Sequence, residues 1–160
     1  MRELSIQQHD IIDLSNQILN KGGKLSFKAH GSSMLPFIKS GDVISLEPVA
    51  EKSLTVGTIV LYKSDQTQMV AHRVVKRRVK NGQIFLSVKG DAHLHSDQLV
   101  TGEQIIGKIT EIKRDSRIVR FDRKLWPVAS SLWRSTHPIG PLILKMTSDL
   151  KKLFLRLQKI

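Results

Sequence analysis

A short loop of small residues offers the first groups that could do chemistry. The segment from Gly31 to Pro36 reads GSSMLP and holds two hydroxyl groups between a glycine and a proline. A serine hydroxyl becomes a nucleophile when a base removes its proton, and acyl transfer also needs N–H donors for the oxyanion. Taken alone, the loop indicates no more than a turn. It predicts a hydrolase only together with a base and a carboxylate.

Two later segments hold candidate partners for such a hydroxyl. His72 stands in an apolar run typical of a strand, where a histidine is either a packed side chain or a general base. Asp91 and Asp97 flank two further histidines, His93 and His95, in a polar segment that follows a β-like run. Imidazole and carboxylate ligands also suit zinc or manganese. The residues alone leave a proton-transfer site, a metal site and a plain polar loop open.

The elements that must position these groups follow a β rhythm. Residues 24–121 contain short apolar runs separated by glycine-containing turns, which is typical of an antiparallel β domain. Asn81-Gly82 is the clearest turn, because both residues tolerate the positive φ of a type I′ hairpin. The expected strands are Leu25–Ala29, Val43–Leu46, Thr58–Tyr62, Val70–Val79, Ile84–Val88, Ile105–Ile112 and Arg117–Phe121. An amphipathic helix is predicted before them. Its apolar face is expected to comprise Ile11, Leu14, Ile18 and Leu19.

The C-terminal segment carries most of the excess positive charge. The chain has 26 Lys and Arg against 14 Asp and Glu, a formal net charge of +12, and 12 of the basic residues lie in 113–160. From Pro141 onward, apolar residues occupy one helical face and Lys or Arg the opposite face. Such a helix, with Trp126 and Trp133 before it, fits an anionic membrane surface. Packing of the same face on the β domain or on a partner protein is the alternative.

Composition excludes several classes of site and of protein. With no cysteine in 160 residues, the chain has no disulfide, no cysteine zinc site and no thiol nucleophile. It has no apolar run long enough to span a bilayer as a simple helix, and its first residues are too polar for a secretory signal. Nucleic acid is an unlikely partner because the basic residues do not alternate with stacking aromatics. We expect a peripheral membrane protein on the cytoplasmic side, with a soluble cytoplasmic protein as the alternative, and no cofactor.

The order of the segments carries a more specific signal. Segment 31–42, with its serines and Gly41-Asp42, is followed by segments 56–60, 71–75, 89–97 and 105–109. In this order, the stretch from Ser26 to Ile112 resembles the signal peptidase superfamily of serine peptidases, which includes the LexA-like repressors. The resemblance implies a mostly β fold, a compact antiparallel domain of that type. The expected organisation is an N-terminal amphipathic helix in 1–23, a peptidase-like β domain in 24–121 and a basic amphipathic helical tail in 122–160.

The resemblance also implies roles for individual residues. His72-Arg73 stands where the usual bacterial enzymes have a lysine, and so looks like the Ser-His type of the endoplasmic reticulum, archaea and sporulating bacteria. Ser33 is then the nucleophile, His72 the general base and Asp97 the carboxylate that orients the imidazole. Asp91 matches a second acidic position, which is structural or supportive. Oxyanion and substrate contacts are expected from these residues: Gly31, Ser32, Met34 and Pro36.

Three departures from the family pattern bear on this assignment. Gly31 stands where related enzymes place a serine that helps to hold the oxyanion, so Ser32 or backbone N–H groups must serve. Thr58 follows Gly57 where the family has an aspartate. A polar-faced helix replaces the expected N-terminal membrane anchor, which leaves the topology of cleavage open.

The activity implied is that of a serine endopeptidase that cleaves signal or leader peptides after a small residue. The alternative is a catalytically inactive peptide-binding module of the same fold, which binds a peptide by strand addition. A LexA-like regulator that cleaves itself is disfavoured, because the base position holds His72 and no DNA-binding domain is recognisable.

Overall fold

The described part of the chain is mostly β, as the sequence predicts. A computed structural model describes residues 8–64, 68–93 and 98–121, and the C-terminal segment predicted to be helical lies outside these ranges. The elements are α1 Gln8–Asn20, β1 Leu25–Lys28, β2 Val43–Glu47, β3 Ile59–Lys63, β4 Met69–Lys80, β5 Gln83–Lys89, β6 Gln98–Thr101, β7 Ile105–Arg114 and β8 Arg117–Arg120. The prediction of an antiparallel β fold with one N-terminal helix is therefore confirmed. Of the described strands, only β6 is missing from the sequence-based prediction.

All described strands belong to one antiparallel sheet. Its order is β1-β2-β7-β3-β4-β5-β6, and β8 pairs with β7. β4 and β5 form the predicted hairpin, whose turn residues Asn81 and Gly82 have φ of 51° and 78°. Both angles lie in the left-handed region that a type I′ turn requires. β7 crosses back between β2 and β3, and it thereby joins the strand that follows the serine segment to the strands around His72.

The sheet carries a hydrophobic core on each face. Strand β3 is buried on both faces of the sheet. Ile59 and Leu61 belong to one core, and Val60 and Tyr62 belong to the other. The first core lies between the sheet, α1 and the serine segment. Its members include Ile12, Leu19, Met34, Ile38, Ile44, Leu46, Ile106, Ile109 and Ile112. The second core lies on the opposite face. Its members include Leu54, Val74, Ile84, Leu86, Val88 and Val100.

The helix α1 packs on the sheet through a stripe that differs from the predicted one. Ile12, Ser15 and Leu19 are buried, at spacings of three and four residues, whereas Leu14 is 55% exposed. The predicted face is therefore wrong at Leu14, since the stripe centred on Ile12 and Leu19 leaves that position turned toward solvent. The Ser15 hydroxyl is buried without penalty because it donates to the Ile11 carbonyl at 2.6 Å. Within the described residues, no helix has both the length and the apolar character needed to cross a membrane.

Candidate active site

The serine loop, residues 30–42, leaves the sheet after β1 and returns to it as β2. Two backbone hydrogen bonds close its base, from the Ala29 N–H to the Asp42 carbonyl at 2.7 Å and from the Gly41 N–H to the Ala29 carbonyl at 2.9 Å. Met34 is 4% exposed and anchors the loop in the first core. Its neighbour Ser33 is half-buried and lines a cavity. The burial of Met34 thus fixes the position of the preceding serine.

The other predicted loop residues shape the turn. Gly31 has a φ of 87°, in the left-handed region, so a serine at this position would be strained in the loop conformation of this chain. Ser32 is exposed, and its carbonyl accepts a hydrogen bond from the Leu35 N–H at 3.2 Å. A cis peptide bond precedes the half-buried Pro36. Residues 31–38 thus form turns and bends around Ser33.

Arg114 holds the loop to β7. Its guanidinium donates to both carboxylate oxygens of Asp42, at 2.8 and 2.7 Å, and to the Phe37 carbonyl at 3.0 Å. The Asp42 carboxylate also accepts from the Lys39 N–H at 2.8 Å. The hydrogen bonds from Arg114 lower the pKa of Asp42 below its ordinary value, against the opposing effect of burial. The end of the loop is therefore fixed by a charge pair.

His72 lies on β4 with its ring in the second core. It pairs with Val60 of β3 and is 5% exposed. The Tyr62 hydroxyl and His72 Nδ1 are 3.2 Å apart and share a hydrogen bond. On another side, the ring of His93 meets the His72 ring edge to face, with centroids 5.7 Å apart. Two aromatic neighbours therefore restrict the orientation of the imidazole.

The turn after β5, residues 90–93, contacts both the serine loop and His72. The Ala92 N–H donates to the Ser33 carbonyl at 2.9 Å, and the same turn carries the His93 ring that contacts His72. A side chain at Gly90 would not fit, because its Cβ would lie 2.7 Å from the Ser33 carbonyl oxygen. The glycine therefore permits the close approach. Ser33 and His72, 39 positions apart in sequence, contact one four-residue turn.

Asp91 of this turn forms a bidentate ion pair with Arg73. Arg73 Nε donates to Oδ1 at 2.7 Å and Nη2 donates to Oδ2 at 2.6 Å, with both side chains at most 5% exposed. Arg73 also donates to the Gly57 carbonyl at 3.0 Å and lies over the Phe37 ring of the serine loop, 5.2 Å from its centroid. Asp91 therefore anchors the Arg73 side chain, and its role toward His72 stays a prediction.

Two predicted acidic or metal-binding positions, Asp97 and His95, lie outside the described residues. Asp97 thus stays a prediction from the resemblance alone. Within residues 8–64, 68–93 and 98–121, no three His, Asp or Glu side chains cluster as a metal site.

The cavity beside Ser33 has a volume of about 400 Å³. It lies between the serine loop and the sheet, on the face of the first core. Its walls are mostly apolar and come from β1, β2, β3 and β4 as well as from the loop. They include Phe27, Met34, Ile44, Leu61, Met69 and Ala71. Such a recess next to a hydroxyl can hold a small apolar side chain and leave the neighbouring backbone beside Ser33.

The comparison with known families agrees with this arrangement. A family model described as Peptidase S24-like matches residues 2–110. The chain belongs to the Peptidase S24-like family. This family covers serine peptidases like those of the LexA-like repressors and signal peptidases, so the resemblance is confirmed at that level. The chain thus has a serine-peptidase-like fold. A comparison with curated proteins found no match.

Three contacts of the site in this Peptidase S24-like chain do not follow from the sequence pattern. Tyr62 falls in a predicted strand, but nothing in the sequence gives its register against His72. Arg73 is adjacent to His72 in sequence, and no spacing identifies Asp91 as the carboxylate that it binds. The sequence pattern suggests His93 only as a metal ligand, whereas its ring packs on His72. Alternation places Tyr62 and Val60 on one face of β3, but only the strand pairing identifies what that face touches.

Proposed function

We propose that the protein is a serine endopeptidase of the Ser-His type that cleaves signal or leader peptides after a small residue. The proposal rests chiefly on the shared turn: Ser33 binds it through its carbonyl, and His72 packs on its His93 ring. The segment that holds the proposed nucleophile and the strand that holds the proposed base thus contact the same turn, which supports the assignment. The cavity beside Ser33 adds a recess for the residue before the cleaved bond.

The reaction needs one proton carrier and one covalent intermediate. Ser33 Oγ attacks the scissile carbonyl while His72 Nε2 takes its proton, and the backbone N–H of Ser33 helps to hold the oxyanion. The imidazolium then gives that proton to the leaving amine, and an ester on Ser33 remains. Water, deprotonated by His72, cleaves the ester and restores the hydroxyl. Asp97 has the role of stabilising the imidazolium in this scheme.

Histidine suits this role at neutral pH. Its unperturbed pKa is about 6.5, so the neutral base predominates, whereas a lysine needs strong desolvation to act in the same way. The small-residue specificity follows from the family resemblance, and the apolar cavity beside Ser33 offers a place for that residue.

Cleavage of a peptide library by the full chain tests the proposal. The library is rich in Ala-x-Ala sites, and products are mapped by mass spectrometry for the native protein, Ser33→Ala and His72→Gln. Ser40→Ala is the matched control, since Ser40 is an exposed serine of the same loop. We expect cleavage after small residues by the native protein and by the control, and its loss in the other two variants.

Other outcomes would decide against the proposal. Cleavage that survives in Ser33→Ala and His72→Gln would assign the activity to another nucleophile or to a contaminant. If the native protein binds library peptides without cleaving them, the inactive peptide-binding module is the correct alternative. Thermal unfolding of each variant separates loss of the site from loss of the fold.

We also propose that the basic segment 122–160 attaches the enzyme to an anionic membrane surface. The sequence pattern alone supports membrane attachment: after Pro141, helical spacing puts apolar residues on one face and basic residues on the opposite face. Co-sedimentation with phosphatidylserine-containing vesicles, but not with phosphatidylcholine vesicles, is expected. Combined replacement of Lys152, Arg156 and Lys159 by glutamate should abolish it. The same change at Lys76, Arg77 and Arg78 of the exposed β4 end, which alters net charge equally, should not.

A further inference from the structure

Tyr62 and His72 are diagonal neighbours on one face of the sheet. In the β3–β4 ladder, Tyr62 pairs with Val70 and His72 pairs with Val60. Diagonal positions on one face are close enough for aromatic side chains to meet. The two rings lie 5.9 Å apart between centroids, inclined at 51°. The contact is thus built into the strand register and does not depend on a loop.

The hydrogen bond between them is shielded from water. Tyr62 is 1% exposed and His72 is 5% exposed, and Val60 and Val74 beside them are fully buried. A buried hydroxyl or ring nitrogen left without a partner costs free energy, so a shared hydrogen bond is held firmly in such a place. The phenol and Nδ1 of the imidazole, 3.2 Å apart, meet this need for each other.

The direction of this hydrogen bond decides which ring nitrogen can act as a base. A neutral imidazole has one N–H donor and one acceptor nitrogen. If Nδ1 carries the proton and donates it to the phenol oxygen, Nε2 has the lone pair that a base needs. The same bond also persists in the imidazolium, whose two nitrogens are both donors. The opposite direction would put the proton on Nε2 and exclude that atom as a base.

We propose that Tyr62 is a positioning residue whose hydroxyl accepts the Nδ1 proton of His72 and so keeps Nε2 unprotonated for Ser33. This inference deepens the proposed function, since it rests on His72 as the general base.

The tautomer of His72 can be measured without any substrate. Long-range ¹H–¹⁵N correlation spectra of the full chain, at a pH of about 8.5 where an ordinary histidine is neutral, distinguish the two tautomers. The His72 signals are assigned by their absence in His72→Gln, because the chain has six histidines. We expect the Nδ1–H form in the native protein. In Tyr62→Phe, which keeps the ring and removes only the hydroxyl, we expect a mixture of both forms.

A matched control removes a hydroxyl from another part of the sheet. Ser45→Ala deletes the hydroxyl of a half-buried side chain of β2 that donates a hydrogen bond to Glu111, and the His72 tautomer should not change.

The kinetics of cleavage give a second measurement. Where the peptidase assay succeeds, Tyr62→Phe should lower kcat about tenfold, the rate equivalent of one hydrogen bond, with KM nearly unchanged.

Two results would overturn the inference. One is the Nε2–H tautomer in the native protein. The other is an Nδ1–H tautomer that persists in Tyr62→Phe, which would assign the role to another group. Neither result depends on cleavage. A protein that cuts no peptide would overturn the proposed function, whereas the tautomer spectra would still decide whether Tyr62 sets the protonated nitrogen of His72.

Discussion

Arg73 and Asp91 form a bidentate charge pair, with hydrogen bonds of 2.7 and 2.6 Å, between side chains that are 1% and 5% exposed. The same guanidinium reaches the Gly57 carbonyl and the Phe37 ring. It therefore ties together the turn before β3, the serine loop and the turn after β5. His72 precedes Arg73 directly, so the residue that orders the site is adjacent in sequence to the proposed base.

Asp91→Asn should destabilise the protein strongly. Replacement of the carboxylate by a neutral amide leaves the buried Arg73 charge without its counter-charge, which costs about 3 kcal/mol in unfolding free energy. Urea unfolding of the purified variant measures this loss. Glu47→Gln, which removes the ion pairs of a half-buried carboxylate with the exposed Lys24 and Lys108, is the control and should change stability much less. A loss of activity in Asp91→Asn without any loss of stability would instead favour a direct role for Asp91 at the imidazole.

Much of the fold can be predicted because its signals are local. Alternating residues indicate the strands, and Asn81-Gly82 indicates the hairpin. β6 escapes prediction because only Val100 of its four residues is buried and the run is too short to show a period. The predicted apolar stripe of α1 is wrong at Leu14, since several helical stripes fit the same sequence and the contact with the sheet selects one.

The site can be predicted only as a set of positions. The family resemblance points to Ser33, His72, Asp97 and Asp91, but the partner of Asp91 depends on the pairing of β4 with β5. That ladder contains a register shift between Val74 and Lys76. A shift of one residue changes the face on which a side chain lies. No local pattern therefore gives the contact of Arg73 with Asp91 or of Tyr62 with His72.

Acid should weaken the attachment of the serine loop to β7. Arg114 lowers the pKa of Asp42 in the folded protein, so the stabilisation is fully present above the unfolded value of about 4 and is lost as the pH falls below it. The stability difference between the native protein and Asp42→Asn should accordingly shrink between about pH 5 and pH 2. Urea unfolding at several pH values measures it. Arg114→Gln should flatten the same dependence, and a difference that stays constant with pH would contradict the pairing.

Gly90→Ala should impair catalysis more than folding. The added Cβ would lie 2.7 Å from the Ser33 carbonyl oxygen and must displace the serine loop from the turn. A displacement of about 1 Å at a reacting group can lower the rate about 100-fold, and we expect a loss of that order in kcat/KM. Gly22→Ala is the matched control, because its φ of 77° imposes strain while its Cβ meets no atom within 4 Å. It should lower the unfolding temperature and leave the activity of the folded protein unchanged.

Met69→Ala should broaden the specificity of cleavage. Met69 is half-buried at the start of β4 and forms part of the wall of the cavity beside Ser33. Its truncation enlarges the recess by about three heavy atoms, the difference between a leucine and an alanine side chain. A difference of one or two methylenes in an apolar pocket changes rates about tenfold or more. We therefore compare two peptides that carry leucine or alanine immediately before the cleaved bond. The ratio of their kcat/KM values, leucine over alanine, should rise about tenfold in the variant. Leu99→Ala, at an exposed leucine on β6, is the control and should leave this ratio unchanged. An unchanged ratio in Met69→Ala would mean that the cavity beside Ser33 does not bind the residue that precedes the cleaved bond. The binding site for that residue would then lie elsewhere along the serine loop.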